Sequence, residues 1–196
     1  MVDQTVRVSC GALCRIKDPA TGKYLLGINP NRSSKGIQVL MPIGGAIRYT
    51  MEPPIPFTPE TPGSKDLRLM IKETMLPAFQ NWFEARIERE LNPFRELREE
   101  LVDEYNVLPA LYPQDVTMRY VSLDIARRFT DRTGVTGMLT HSFQEIFDVT
   151  FTSKDLWHRL KNIPVGSSLC WTTAEQIRAH HYTDNVTIQA DVLQLN

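Results

Sequence analysis

Alternating and helical runs of apolar residues divide the chain into recognisable elements. Val6–Ile16 is rich in β-branched and small apolar residues and predicts a strand; Lys23–Ile28 predicts another. The turn sequence Asp18-Pro19-Ala20-Thr21-Gly22 lies between them, so the pair predicts a hairpin. A polar loop over Asn29–Gly36, with Arg32 and Lys35, leads to a strand at Ile37–Met41. That strand runs into Pro42-Ile43-Gly44-Gly45, and Ala46–Tyr49 continues as a short strand. Met51–Ser64 holds Pro53, Pro54, Pro56, Pro59 and Pro62, which fix φ and remove amide donors, so an extended loop is expected. Asp66–Ile71 reads as a strand. Phe79, Trp82, Phe83 and Ile87 stand at helical spacing within Leu76–Glu88 and predict a core-facing helix.

A second helix starts at Asn92-Pro93, with Asn92 as N-cap, Pro93 in the first turn and Asn106 as the left-handed residue that ends it. Phe94, Leu97, Leu101 and Tyr105 share one side; Glu96, Glu99, Glu100 and Asp103 lie mostly on another. Beyond it, strands are expected at Val116–Phe129 and Met138–Thr152, joined by the Asp131-Arg132-Thr133-Gly134 turn. A helix at Ser153–Lys161, a strand at Leu169–Trp171 and a helix from Thr172 or Thr173 through His180 follow; Val186–Leu195 is ambiguous. Strands, helix, strands, helix predict an α/β fold: a mixed sheet packed between helices in an α/β/α sandwich.

Size and charge narrow the function. The 196 residues suit one domain carrying an insertion, and 42% hydrophobic with 23% charged residues is ordinary globular composition. A net charge of −1 and a pI near 6.4 argue against binding DNA or RNA duplexes. Cys10, Cys14 and Cys170 are odd in number and lack zinc spacing, which fits reduced thiols in a cytoplasmic protein. No signal-peptide pattern and no apolar run of membrane-spanning length is visible, so no membrane segment is expected in this chain.

The chemistry concentrates in Arg95-Glu96-Leu97-Arg98-Glu99-Glu100. On an α-helix Glu96, Glu99 and Glu100 stand at i, i+3 and i+4, on one face. Carboxylates so close raise each other's pKa unless a cation sits among them, and hard oxygen donors suit Mg²⁺ shared with phosphates. Alone, such a triplet also reads as a solvated acidic face. His141 and His158 have no partner in sequence, and His180-His181 reads as the end of a helix.

A hairpin, a strand ending in Pro-x-Gly-Gly and a helix with Arg-Glu-Leu-x-Glu-Glu together resemble the Nudix family. The long stretch between Gly45 and Arg95 departs from the usual compact box. Asp66-Leu67-Arg68, Phe79-Gln80-Asn81-Trp82-Phe83 and Arg89-Glu90-Leu91-Asn92-Pro93 within that stretch are similar to the SMODS-associated Nudix domains, as are Glu145-Ile146-Phe147 and Trp171–Ile177. The resemblance implies a single Nudix-type domain over residues 1–196 with a subfamily insertion at about 50–91, between the Gly-Gly strand and the Nudix helix. It implies recognition of a nucleotide signal, a cyclic oligonucleotide in bacterial antiphage defence. A homo-oligomer or an effector partner would read the signal out. The alternative is a hydrolase in which Glu96, Glu99 and Glu100 are catalytic and hold Mg²⁺, with Glu145 as a further ligand or base and Arg95 orienting the acids. Gly44 and Gly45 would bring backbone close to the nucleotide. Arg32, Lys35, Arg48 and Arg68 would meet phosphates, and Tyr49, Phe57 or Trp82 could stack a base. A non-catalytic interaction scaffold is the third reading.

Overall fold

Both edges of the second strand are occupied, and that single fact reshapes the first part of the chain. The computed structural model describes residues 3–30, 32, 36–164, 166–193 and 195, so Lys35 lies outside the described residues. Strand β1 (Thr5–Ile16) and strand β2 (Tyr24–Ile28) are joined by the expected turn: the Gly22 amide donates to Asp18 O at 2.8 Å, and Lys17 bridges Tyr24. The pair does not continue as a hairpin. A strand has two hydrogen-bonding edges, and those of β2 pair with β3 (Gln38–Ala46) and β8 (Leu169–Thr172). Strand β3 runs unbroken through Pro42-Ile43-Gly44-Gly45.

The proline-dense stretch is irregular except for β4 (Thr58–Pro59), which pairs with β5 (Arg68–Lys72). Helix α1 (Leu76–Glu84) is shorter than the apolar spacing predicts. Arg86 and Glu88 adopt positive φ, 55° and 58°, which ends the helix and leaves Ile87 52% exposed. Helix α2 (Phe94–Arg98) passes directly into a π-helical segment, Glu99–Glu104, whose i+5 bonding appears in the Tyr105 amide donating to Glu100 O at 2.8 Å. Asn106 ends it at φ 51°, as expected. Strands β6 (Val116–Phe129) and β7 (Leu139–Phe151) follow. Helix α3 (Lys154–Lys161) is capped by Ser153, and α4 (Ala174–Arg178) by Thr173 in a capping box with Gln176. His180, at φ 53°, lies beyond α4, and His181 opens β9 (His181–Thr183). The ambiguous C-terminal stretch contains β10 (Val186–Ile188), parallel to β3 and antiparallel to β9. The fold is mixed α/β, with a large, mostly antiparallel sheet and few helices. No helix among the described residues is long and apolar enough to cross a membrane.

The residues group into two compact units. The first comprises Met1–Ala12, Gly45–Pro93 and Ser122–Glu145. Its antiparallel β1–β5 ladder sets Val6 opposite Ile71 and Val8 opposite Leu69, all buried. Phe79 and Phe83 of α1 pack on Phe143 of β7, with ring centroids 5.6 and 5.4 Å away.

The second unit comprises Leu13–Gly44, Phe94–Val121 and Ile146–Asn196. Its strands are covered on both faces, as the period-two alternation of successive side chains shows. Cys14, Ile16, Leu25, Val149 and Phe151 pack with Leu97, Leu101 and Leu160 from the helices; Leu26, Leu40 and Ile146 pack with Ile177 of α4.

Candidate functional site

Within the second unit, α2 is anchored by its buried Leu97 and the π segment by its buried Leu101, against Cys14, Ile16 and Ile43. This orients the acidic side. Arg95 Nη1 donates to Glu96 Oε1 at 2.6 Å and to Glu99 Oε2 at 3.0 Å, gathering two of the three expected carboxylates around one guanidinium. All three side chains stay partly open: Arg95 is 21% exposed, Glu96 18% and Glu99 37%. Arg98 turns outward to Asp103 at 3.3 Å, with both side chains half in solvent.

Glu100 behaves differently. Its carboxylate accepts a hydrogen bond from the Gly44 amide, and Gly44 has φ 132°, a conformation available to glycine and strained for other residues. The glycine pair was expected to bring backbone close to a ligand; Gly44 brings it to Glu100. Burial, opposed by the Gly44 bond and reinforced by the Glu104 and Glu96 charges, pushes Glu100 up to about 8. The thiol of Cys14 is also raised, first by burial and then by Glu100 and Glu96. Tyr105 is raised by burial and by Glu100 and Glu104; its hydroxyl donates to Ile28 O at 3.1 Å. A Cβ built on Gly27 would stand 2.2 Å from the Tyr105 hydroxyl, so glycine is required there for the phenol to reach its acceptor.

The structure thus brings together Arg95, Glu96, Glu99, Glu100 and Gly44, and adds Glu104, Cys14 and Tyr105. Glu104 was visible in sequence as an acid four residues beyond Glu100. Cys14 and Tyr105 carried no sequence signal of their own beyond being core candidates. The donor set is oxygen-rich and matches the hard-cation preference of Mg²⁺. Among the described residues no three His, Cys, Asp or Glu side chains converge into a metal cage.

The remaining candidates stand elsewhere. Arg32 is exposed, with its amide donating to Asn29 O at 3.2 Å. Arg48, Gly45 and Glu145 belong to the first unit. Arg48 pairs with Asp66 at 3.2 Å, and Arg68 with the same Asp66 at 3.6 Å. Tyr49 and Trp82 are buried; Tyr49 packs edge-on against Phe57 and Trp82 against Phe79, so their rings serve the core. Glu145 is buried and doubly bonded to Arg89, at 2.8 and 3.2 Å, with Arg86 on the same Oε1. Arg89 in turn lies over the Phe83 ring, 4.0 Å from its centroid, and donates to Phe83 O.

No curated protein matches the chain. Among solved structures it is similar to the E. coli protein described as "Solution structure of the E. coli ORF135 protein". The two are 12% identical, with a TM-score of 0.34 over 87% of this chain and 76% of that one. The SMODS-associated NUDIX domain family matches residues 5–194. A match running from the first residue of β1 to beyond β10 takes in every strand and helix described above, and the chain belongs to the SMODS-associated NUDIX domain family.

Proposed function

We propose that this domain recognises a nucleotide at the α2 acidic side and senses a cyclic oligonucleotide second messenger in bacterial antiphage defence. The carrying observation is the Arg95 clamp. Arg95 draws Glu96 and Glu99 together and offsets one of their two charges, and its guanidinium is still partly exposed on the side where a phosphate would approach. Gly44 and Glu100 hold adjoining backbone and helix together, so ligand contact at either is felt by the other. In this reading the domain is cytoplasmic, takes no DNA or RNA duplex, and passes the signal to an effector or to a second copy of itself. Residues 50–91 are the family insertion. The test is calorimetry with a panel of cyclic oligonucleotides. Tight binding of an intact cyclic nucleotide, weakened by Arg95→Ala, is the expected result; binding unaffected by that change would overturn it.

A second reading is favoured by one specific feature. Glu100 faces Glu96 and Glu104 with a backbone amide as its hydrogen-bond donor, an arrangement that a cation would relieve. In this reading Glu96, Glu99 and Glu100, which do not form a closed cage as they stand, would offer oxygen donors to Mg²⁺ shared with the phosphates, and the ion when bound would supply Lewis-acid activation of water and of a phosphoryl oxygen at a nucleoside diphosphate linkage. The chain's own part would be positioning: Arg95 orients Glu96 and Glu99, and Gly44 fixes Glu100. Chromatography of nucleoside diphosphate compounds with and without Mg²⁺ decides. Metal-dependent monophosphate release that disappears in Glu99→Gln supports hydrolysis, and release that persists in that variant rules this mechanism out.

A further inference from the structure

Strand β7 pairs with β1 on one side and β6 on the other, and within the second unit these strands carry a row of charges. Asp148 stands in the middle of the row. Arg15 Nε donates to its Oδ1 at 2.6 Å, and Arg119 Nη2 donates to its Oδ2. Burial alone would raise Asp148, but the Arg15 and Arg119 bonds hold its carboxyl below the ordinary range, so it stays charged. These side chains line an open cavity of about 490 Å³ together with Lys17, Tyr24, Thr117, Val149 and Thr150. That volume lies within the span of small-molecule sites, roughly 300–1,000 Å³.

The charge balance of this cavity is uneven. Arg15 is held by Asp148 and by Leu193 O at 3.2 Å, and among the described residues Lys17 and Arg119 share the lining with the one carboxylate, Asp148, which leaves a positive surplus in a concave surface. Fixing several cations in one hollow costs repulsion that an anion would remove. Asp148 pre-orients two guanidiniums at once, and Thr117 and Thr150 set hydroxyls on the same lining. Arg119 remains 77% exposed, open to an incoming ligand. Exposed ion pairs on a flat surface have little such focusing.

The location separates this cavity from the glutamate helix. Along β1, Cys14 and Ile16 pack with Leu97 and Leu101, whereas Leu13 packs with the opposite cluster around Ile146 and Ile177. Arg15 alternates with Cys14 and Ile16, and so lies on the face away from α2. The same alternation along β7 puts Asp148 and Thr150 on the side of Ile146, opposite Val149 and Phe151.

We propose that the Arg15–Lys17–Arg119 cavity is a second ligand site, for a phosphate-bearing small molecule, on the sheet face opposite the glutamate helix. It does not depend on what the glutamate helix binds. The probe is inorganic tripolyphosphate without Mg²⁺, titrated into the ¹⁵N-labelled protein. Amides of Thr117 and Thr150 should shift, and affinity should fall by about tenfold for each cation removed in Arg119→Ala and Lys17→Ala. Both side chains are at the surface, so these variants retain the fold. Arg98→Ala, which removes an exposed cation outside the cavity, should bind the probe as the parent does. Unchanged affinity in the Arg119→Ala/Lys17→Ala double variant, or shifts confined to residues 94–104, would overturn the proposal. A parallel titration with a cyclic dinucleotide reads residues 94–104, so either site can fail while the other stands.

Discussion

Glu145 and Glu100 are the same residue type, the first buried and the second half-buried, and they live by opposite electrostatics. Glu145, in the first unit, has a fully buried Arg89 bonded to both oxygens and Arg86 beside it. Glu100, in the second unit, has one backbone amide for support and two carboxylates for neighbours. A buried carboxylate with its cation is a finished structural joint, whereas one among other acids is held in reserve for a proton or a positive ligand. The difference distinguishes architecture from chemistry more sharply than burial does.

The largest expected effect breaks the finished joint. Arg89→Ala removes both bonds to Glu145 and the packing on Phe83, and should cost about 3–5 kcal/mol of stability in urea unfolding. A loss below about 1 kcal/mol would mean that Arg86 alone satisfies Glu145.

A smaller effect sharpens the other side of the comparison. Glu100 titrates near 8 in the folded chain against 4.5 as its ordinary value, so between those pH values the folded state binds more protons than the unfolded one. Stability therefore falls as pH rises through that window and levels off above it, by on the order of 2–4 kcal/mol. Glu100→Gln should flatten this part of the profile, and an unchanged slope would assign it to another group. The smallest effect is the control. Arg98→Ala deletes an exposed pair on the same helix and should change stability by less than about 0.5 kcal/mol.

Much of this was readable in the chain. The helix carrying the acids, its Asn106 stop, the Ser153 and Thr173 caps and the β6 strand all follow from local chemistry. What escaped depends on partners distant in sequence. Tyr24–Ile28 looked like half of a hairpin because its turn is local; that β8 would take one of its edges is not. Phe83 and Ile87 share a helical period, yet Arg86 and Glu88 turn left-handed beyond the helix, and no residue type there announces it. The site was legible as a set of acids, but not as a geometry. A shift from i+4 to i+5 bonding at Glu99 leaves composition untouched while changing which side chains stand together. Glu145 was visible as an acid on a strand, but its arginines lie on a different stretch of the chain.

The parallel pairing of β10 with β3 has a consequence for how the chain is made. Residues 38–40 are synthesised well before their partner, residues 186–188. Until then that edge of β3 presents unpaired amides and carbonyls, the kind of surface on which chains aggregate. The first unit has all its segments once Glu145 is synthesised, whereas the second waits for the C-terminal stretch. The unit that carries the acidic helix is thus the last to close, and a nascent chain stalled before residue 186 would hold Glu96, Glu99 and Glu100 on an unfinished support.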